Sequence, residues 1–134
     1  MALQLKQIKG LSDYYITNTG QVFSTRISPR YNKKGVMREV RPKVNKSGYL
    51  YIGIYSGIGA DKKRIWQRIH RVVYREFVGP IPQGMEIDHI NNCKTDNRLD
   101  NLQMLSKTDN IRKWFFKDKQ IRDAKENKKL GQVK

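Results

Sequence analysis

An α+β fold is what this sequence predicts, and three observations predict it. Alternating or β-branched segments fill the first half, as in YYITNTGQVFS, GYLYIGIYS and RIWQRI. Apolar spacing changes to the helical period at HRVVYREFVG. From Met85 onward the chain reads as strand, polar loop, strand and helix. The expected architecture is a small antiparallel β-sheet region, then a ββα unit, then a basic C-terminal helix. Three segments are expected at 1–60, 61–116 and 117–134. A chain of 134 residues, 37% hydrophobic, can build one small core with an added arm.

Each element has a local reason. Tyr14 to Ser24 alternates around Asn18-Thr19-Gly20, a hairpin with a glycine-bearing turn. Residues 26–46 carry eight basic side chains against Glu39 alone and have few apolar anchors, which predicts a loop or loose hairpin. GYLYIGIYS is a strand by its aromatic and β-branched content, and RIWQRI is a second strand across the GIGADKK turn. The first of these holds the letters of the GIY-YIG signature. They overlap within one strand, where that family needs them in the other order on separate strands, so the segment reads as an ordinary half-buried strand. In HRVVYREFVG, Val72, Val73, Tyr74 and Phe77 share helical spacing, and Gly79-Pro80 ends the helix. GMEIDHI and LQML are short strands around the polar NNCKTDNRLDN. SKTDNIRKWFF starts a helix that Ser106 or Thr108 can cap, with Asp109 at its positive end. Trp114, Phe115 and Phe116 are expected to anchor that helix in the core, with stacking on a nucleic acid as the alternative. The tail is expected to fray toward ENKKLGQVK.

The charge is lopsided. There are 28 Lys and Arg against 12 Asp and Glu, a net of +16. Such a surplus repels itself in a folded chain and points to a polyanion, nucleic acid first. A membrane surface is the weaker candidate, because the basic residues do not line one amphipathic helix. The single cysteine, Cys93, excludes an internal disulfide, and with two histidines it leaves too few soft ligands for a Cys-rich zinc site. MALQLKQIKG lacks the apolar run of a signal peptide, so a cytoplasmic protein is expected.

Against that background, Met85 to Asn110 holds five acids (Glu86, Asp88, Asp96, Asp100, Asp109) and three bases (Lys94, Arg98, Lys107), a local net of −2. Asp96, Asp100 and Asp109 suit turns and caps. Asp88 sits mid-strand, where a charge is unfavourable unless it faces a cleft. Adjacent strand residues leave on opposite faces, so Asp88 and His89 can serve a metal and a water separately. Phosphodiester hydrolysis needs those two jobs: a hard cation at the phosphate and a base for the attacking water. A histidine near its reference pKa of ~6.5 is mostly neutral at pH 7 and can accept the proton.

DHINNCKTDNRLDNLQMLSKTDN resembles the HNH endonuclease motif of phage-borne and intron-encoded homing enzymes, in an H-N-N version. His89, Asn101 and Asn110 fall in order, twelve and nine residues apart. IKGLSDYYITNTGQVFS is similar to a short module that often precedes such nucleases. The resemblance implies that Asp88 and Asn110 hold one divalent ion. An amide oxygen suits Mg²⁺ or Mn²⁺ better than Zn²⁺. His89 becomes the general base, and Asn101 holds the loop across its neck and orients His89. Asn97 is the nearest rival to Asn101, and Asn91 or Asn92 could also face the site. His70 could pack structurally or touch a phosphate. Arg68, Arg71 and Arg98 are candidates to clamp the scissile phosphate. Arg26, Arg30, Lys33, Lys34, Arg38, Lys113 and Lys117 are expected to contact double-stranded DNA.

The function implied is a metal-dependent DNA endonuclease with a His-Me-finger ββα core, acting as a monomer that nicks one strand. Residues 1–60 would contact DNA, 61–116 would cut it, and 117–134 would add a basic helical tail. One rival is a basic DNA-binding module with a degenerate ββα unit. An RNA-binding protein is the other.

Overall fold

The computed structural model describes residues 1–27, 36–56 and 62–130. Strands β1 (Leu5–Gln7), β2 (Tyr14–Thr17), β3 (Val22–Ser24) and β4 (Arg38–Glu39) form one antiparallel sheet in that order. Strands β5 (Lys43–Val44), β6 (Leu50–Ser56) and β7 (Lys63–Arg68) form a second. Helix α1 (Ile69–Phe77) follows. Then come the hairpin of β8 (Met85–His89) and β9 (Leu102–Ser106), a 3-10 turn at Leu99–Asn101 before β9, and helix α2 (Lys107–Leu130). The α+β class with antiparallel sheets is as expected. Among the described residues no helix is long and apolar enough to cross a membrane.

One core serves all three parts. Ile8, Tyr14, Ile16 and Val22 from the first sheet meet Ile52 and Ile54 of β6, Ile69, Val72 and Val73 of α1, and Ile87 and Leu102 of the last hairpin. Each such aliphatic side chain taken from water contributes about 1.5–3 kcal/mol. The expected boundary at 60/61 falls between β6 and β7, which pair along their whole length from Tyr51↔Arg68 to Ser56↔Lys63. The pleat puts Ile52 and Ile54 inward and leaves Tyr51, Gly53 and Tyr55 on the outer face, opposite Arg68, Trp66 and Arg64. Helix α1 ends where the N–H groups of Val78 and Gly79 both reach the Tyr74 carbonyl and Pro80 cannot continue the ladder.

Three details differ from the sequence expectation. Leu5–Gln7 is a strand, paired to β2, although its side chains are exposed and give no burial signal. Helix α2 continues through Glu126 to Leu130, where fraying was expected. Lys, Gln, Arg, Ala and Glu favour helix intrinsically, and Asp118–Arg122 and Asp109–Arg112 pair along its surface. Its start is capped by Ser106, whose Oγ accepts the Asp109 N–H at 3.1 Å. Thr108 lies inside the first turn. Lastly, Trp114, Phe115 and Phe116 are not core anchors: they are 43%, 62% and 60% exposed. The helix packs mainly on β8 and β9, and it does so through Asn110 and Lys113, which leaves the aromatic side chains in solvent.

Candidate active site

Strand β8 presents Glu86 and Asp88 to one side and Ile87 and His89 to the other. His89 is buried, 3% exposed, against the rings of both His70 (centroids 4.8 Å apart) and Tyr49 (5.9 Å). Its Nε2 lies 2.7 Å from Oδ1 of Asn97, itself buried. An amide oxygen only accepts, so Nε2 carries the hydrogen and Nδ1 of the neutral ring keeps its lone pair. Among the described residues the structure shows no hydrogen-bond partner for Nδ1.

On the other face, Asp88 Oδ2 accepts from Gln103 Nε2 (2.9 Å), its cross-strand neighbour, and from Lys113 Nζ (2.5 Å). Lys113 also donates to the His89 carbonyl at 2.8 Å. Asn110, in the first turn of α2, donates its Nδ2 to Glu86 Oε2 at 2.6 Å, which fixes the orientation of the amide. Its Oδ1 is then buried without a partner. An unsatisfied buried oxygen is costly unless something electropositive meets it. One carboxylate and one orphaned amide oxygen are hard donors that fit Mg²⁺ or Mn²⁺, ions that keep several waters. Among the described residues no three His, Cys, Asp or Glu side chains gather into a metal cluster.

The loop between the strands is closed at its neck by Asn101. Its Nδ2 donates to the Asp96 carbonyl (2.8 Å) and to Asn91 Oδ1 (2.9 Å), and its Oδ1 accepts the Asn91 N–H (3.1 Å). Asn101 therefore ties the loop, while the direct partner of His89 is Asn97. Asn92 takes a left-handed φ of 61° and returns its N–H to the His89 carbonyl. The N-terminal hairpin braces the same loop. The Leu99 N–H donates to the Asn18 carbonyl at 2.8 Å, and Gly20 lies so close that an added Cβ would sit 2.8 Å from the Cβ of Asn97.

The basic residues separate into groups. Arg98 is held by Asp96 through two hydrogen bonds of 2.8 and 2.9 Å, which also holds the Asp96 carboxyl down at about 2. Arg68 lies over the Tyr49 ring. Arg71 lines an open groove of about 930 Å³ between β1 and α1 with Lys6, Lys9 and Arg75. That groove contains none of Asp88, His89 or Asn110. Arg26 lies over Tyr55, Arg38 donates to the Arg26 carbonyl, and Lys117 lies over Trp114. Lys113 is turned inward onto Asp88. Arg30, Lys33 and Lys34 lie outside the described residues. His70 stacks on Tyr49 at 5.2 Å with its Nδ1 buried and unpartnered. Burial first, then the charges of His89, Arg68 and Arg71, push its pKa down to about 3, so it is neutral. Gln103, Glu86 and Tyr49 are neighbours to which spacing assigned no role, and Lys113, expected on DNA, instead donates to Asp88.

The HNH endonuclease family model matches residues 67–112, the stretch from the end of β7 to the first turns of α2. The uncharacterized gene 5.3 protein of Enterobacteria phage T3 is 38% identical over 72 residues, 54% of this chain and 69% of that protein. This chain belongs to the HNH endonuclease family. Its members generally use a divalent metal ion. A solved structure concerning DNA binding and cleavage by the HNH homing endonuclease I-HmuI superposes on 91% of the chain with a TM-score of 0.68 and 26% identity. The chain spans 66% of the length of that structure, just under two thirds. The HNH unit and the N-terminal sheets therefore share one architecture with a homing enzyme.

Proposed function

We propose that this chain is a phage or mobile-element endonuclease that hydrolyses one strand of duplex DNA as a monomer in the cytoplasm. The observation that carries the reading is the His89–Asn97 hydrogen bond on the strand that also bears Asp88. It fixes the ring tautomer and leaves Nδ1 as the base, on the opposite side of β8 from the carboxylate. Asp88 and Asn110 would hold one Mg²⁺ or Mn²⁺, which supplies positive charge for the phosphate and leaving oxygens. Nδ1 of His89 takes a proton from water as its oxygen bonds to phosphorus, the P–O ester bond breaks, the departing oxygen takes a proton from solvent, and His89 returns its own to solvent. His70, neutral and packed against the base, adds no charge beside it.

Grip on the duplex is assigned to the outer face of β6 and β7. Arg64 lies 4.2 Å over Trp66, Lys43 5.3 Å over the same ring, and Lys62 4.4 Å over Tyr55. Gly53 lets this layer lie flat: a Cβ there would meet Arg64 Nε at 2.6 Å. Among the described residues Arg26, Lys43, Lys62, Arg64 and Arg68 have no ion pair, so their charge is free for phosphates. In this reading residues 1–60 contact DNA, 61–116 cut it and 117–134 extend the basic surface.

A plasmid nicking assay tests the proposal. Supercoiled DNA should convert to open circles with Mg²⁺ or Mn²⁺ and not with EDTA. His89→Ala should lose ~10²–10⁴-fold in rate with DNA affinity retained. No cleavage with any divalent ion near neutral pH, alongside intact binding, would leave the non-catalytic DNA-binding module in its place.

A further inference from the structure

We propose that Lys113 is a built-in competitor of the divalent ion: its ammonium occupies Asp88 in the metal-free protein and must leave before a metal can bind. The inference rests on the reading of Asp88 as a metal ligand. Lys113 reaches from the second turn of α2 to Asp88 Oδ2 at 2.5 Å, to the His89 carbonyl at 2.8 Å and to the Ile90 carbonyl at 3.3 Å. Three oxygens thus surround one cationic centre, the shape of demand that a metal ion would also meet. The pair is shielded, with side-chain exposures of 23% for Lys113 and 7% for Asp88.

Two physical facts make the competition necessary. A carboxylate buried in the absence of a counter-charge is strongly disfavoured, so the metal-free fold needs the ammonium. A divalent ion and an ammonium cannot both sit at hydrogen-bonding distance from the same oxygen without mutual repulsion. The charge-assisted bond is therefore broken as the metal enters, and the observed metal affinity is lowered by the worth of that bond.

The test is calorimetric titration of the full chain with MnCl₂ at fixed pH, for the parent, Lys113→Met, Lys113→Gln, Asp88→Asn and the Lys113→Met/Asp88→Asn double variant. Melting temperature is read in EDTA and in saturating Mn²⁺. Removing the ammonium should tighten Mn²⁺ binding about tenfold or more, the worth of one charge-assisted hydrogen bond. Both neutral variants should melt lower than the parent in EDTA, and the gap should close in Mn²⁺. Adding Asp88→Asn should erase the gain. If Asp88→Asn weakens Mn²⁺ binding while Lys113→Met and Lys113→Gln leave it equal or weaker, the competition is wrong and the ligand assignment stands. If Asp88→Asn leaves binding unchanged, the ligand assignment itself fails, and the inference with it.

Discussion

Gly20→Ala tests whether the N-terminal hairpin belongs to the catalytic machinery. Gly20 has φ of 92°, a conformation that costs an L-residue about 1–2 kcal/mol. The new methyl would lie 2.8 Å from Asn97 Cβ, 3.4 Å from the Asn97 carbonyl oxygen and 3.4 Å from Ile69 Cγ2. None of these is the loose end of a flexible side chain, so the overlap costs roughly a further 1–3 kcal/mol. A total of about 2–5 kcal/mol lowers Tm by roughly 6–25 °C for a chain of this size. If the loop yields instead, Asn97 shifts and its 2.7 Å bond to His89 lengthens, so the loss moves from stability to rate. The assay is thermal melting by circular dichroism, paired with single-turnover nicking well below the measured Tm and with DNA affinity by anisotropy. Either a large drop in Tm or a fall in rate with affinity unchanged is expected. A variant that melts within a degree or two of the parent and cuts at the parent rate would refute the claim that this turn braces the catalytic loop.

Other outcomes follow from the same geometry. Asn97→Ala should slow nicking at least tenfold by freeing the ring of His89, while DNA affinity measured by anisotropy stays at the parent value. His70, held near 3 against an ordinary 6.5, stays neutral in the folded chain while the unfolded chain takes up a proton. Its contribution to stability is therefore complete above about pH 6.5 and falls as pH drops toward 3, by about 1.4 kcal/mol per unit. Urea unfolding at pH 7 and pH 5 should show a smaller pH slope in His70→Gln than in the parent. Arg64→Ala should reduce the slope of log affinity against log salt by about 0.9, whereas Trp66→Phe should leave that slope unchanged.

Much of this site is legible in the order of residues. Asp88 and His89 are adjacent in a strand, so their opposed directions follow from the pleat, and Asn101 and Asn110 sit where a neck and a helix start require them. The hairpin around Asn18-Thr19-Gly20 is equally plain, because its turn chemistry is local. What spacing could not supply is who meets whom across distance. Asn97 and Asn101 lie four residues apart in one polar loop, and only the folded loop shows which touches the ring and which ties the neck. Lys113 looks like one more surface cation until α2 is docked on β8. Trp114, Phe115 and Phe116 carry the composition of a core, yet the helix is docked by its polar residues, so hydrophobicity misled. β1 is held by backbone pairing and by Lys6 and Gln7, which donate to the Glu76 and Ser12 carbonyls, so no apolar pattern marks it.

The shared core has a consequence for how such a chain can be recombined. A graft that carried only residues 61 onward into another host would still bring Asp88, His89 and Asn110. It would expose the undersides of Ile69, Val72 and Val73 to water and lose the turn that stands behind Asn97. The HNH unit is therefore expected to keep its fold only when it travels with its N-terminal sheets.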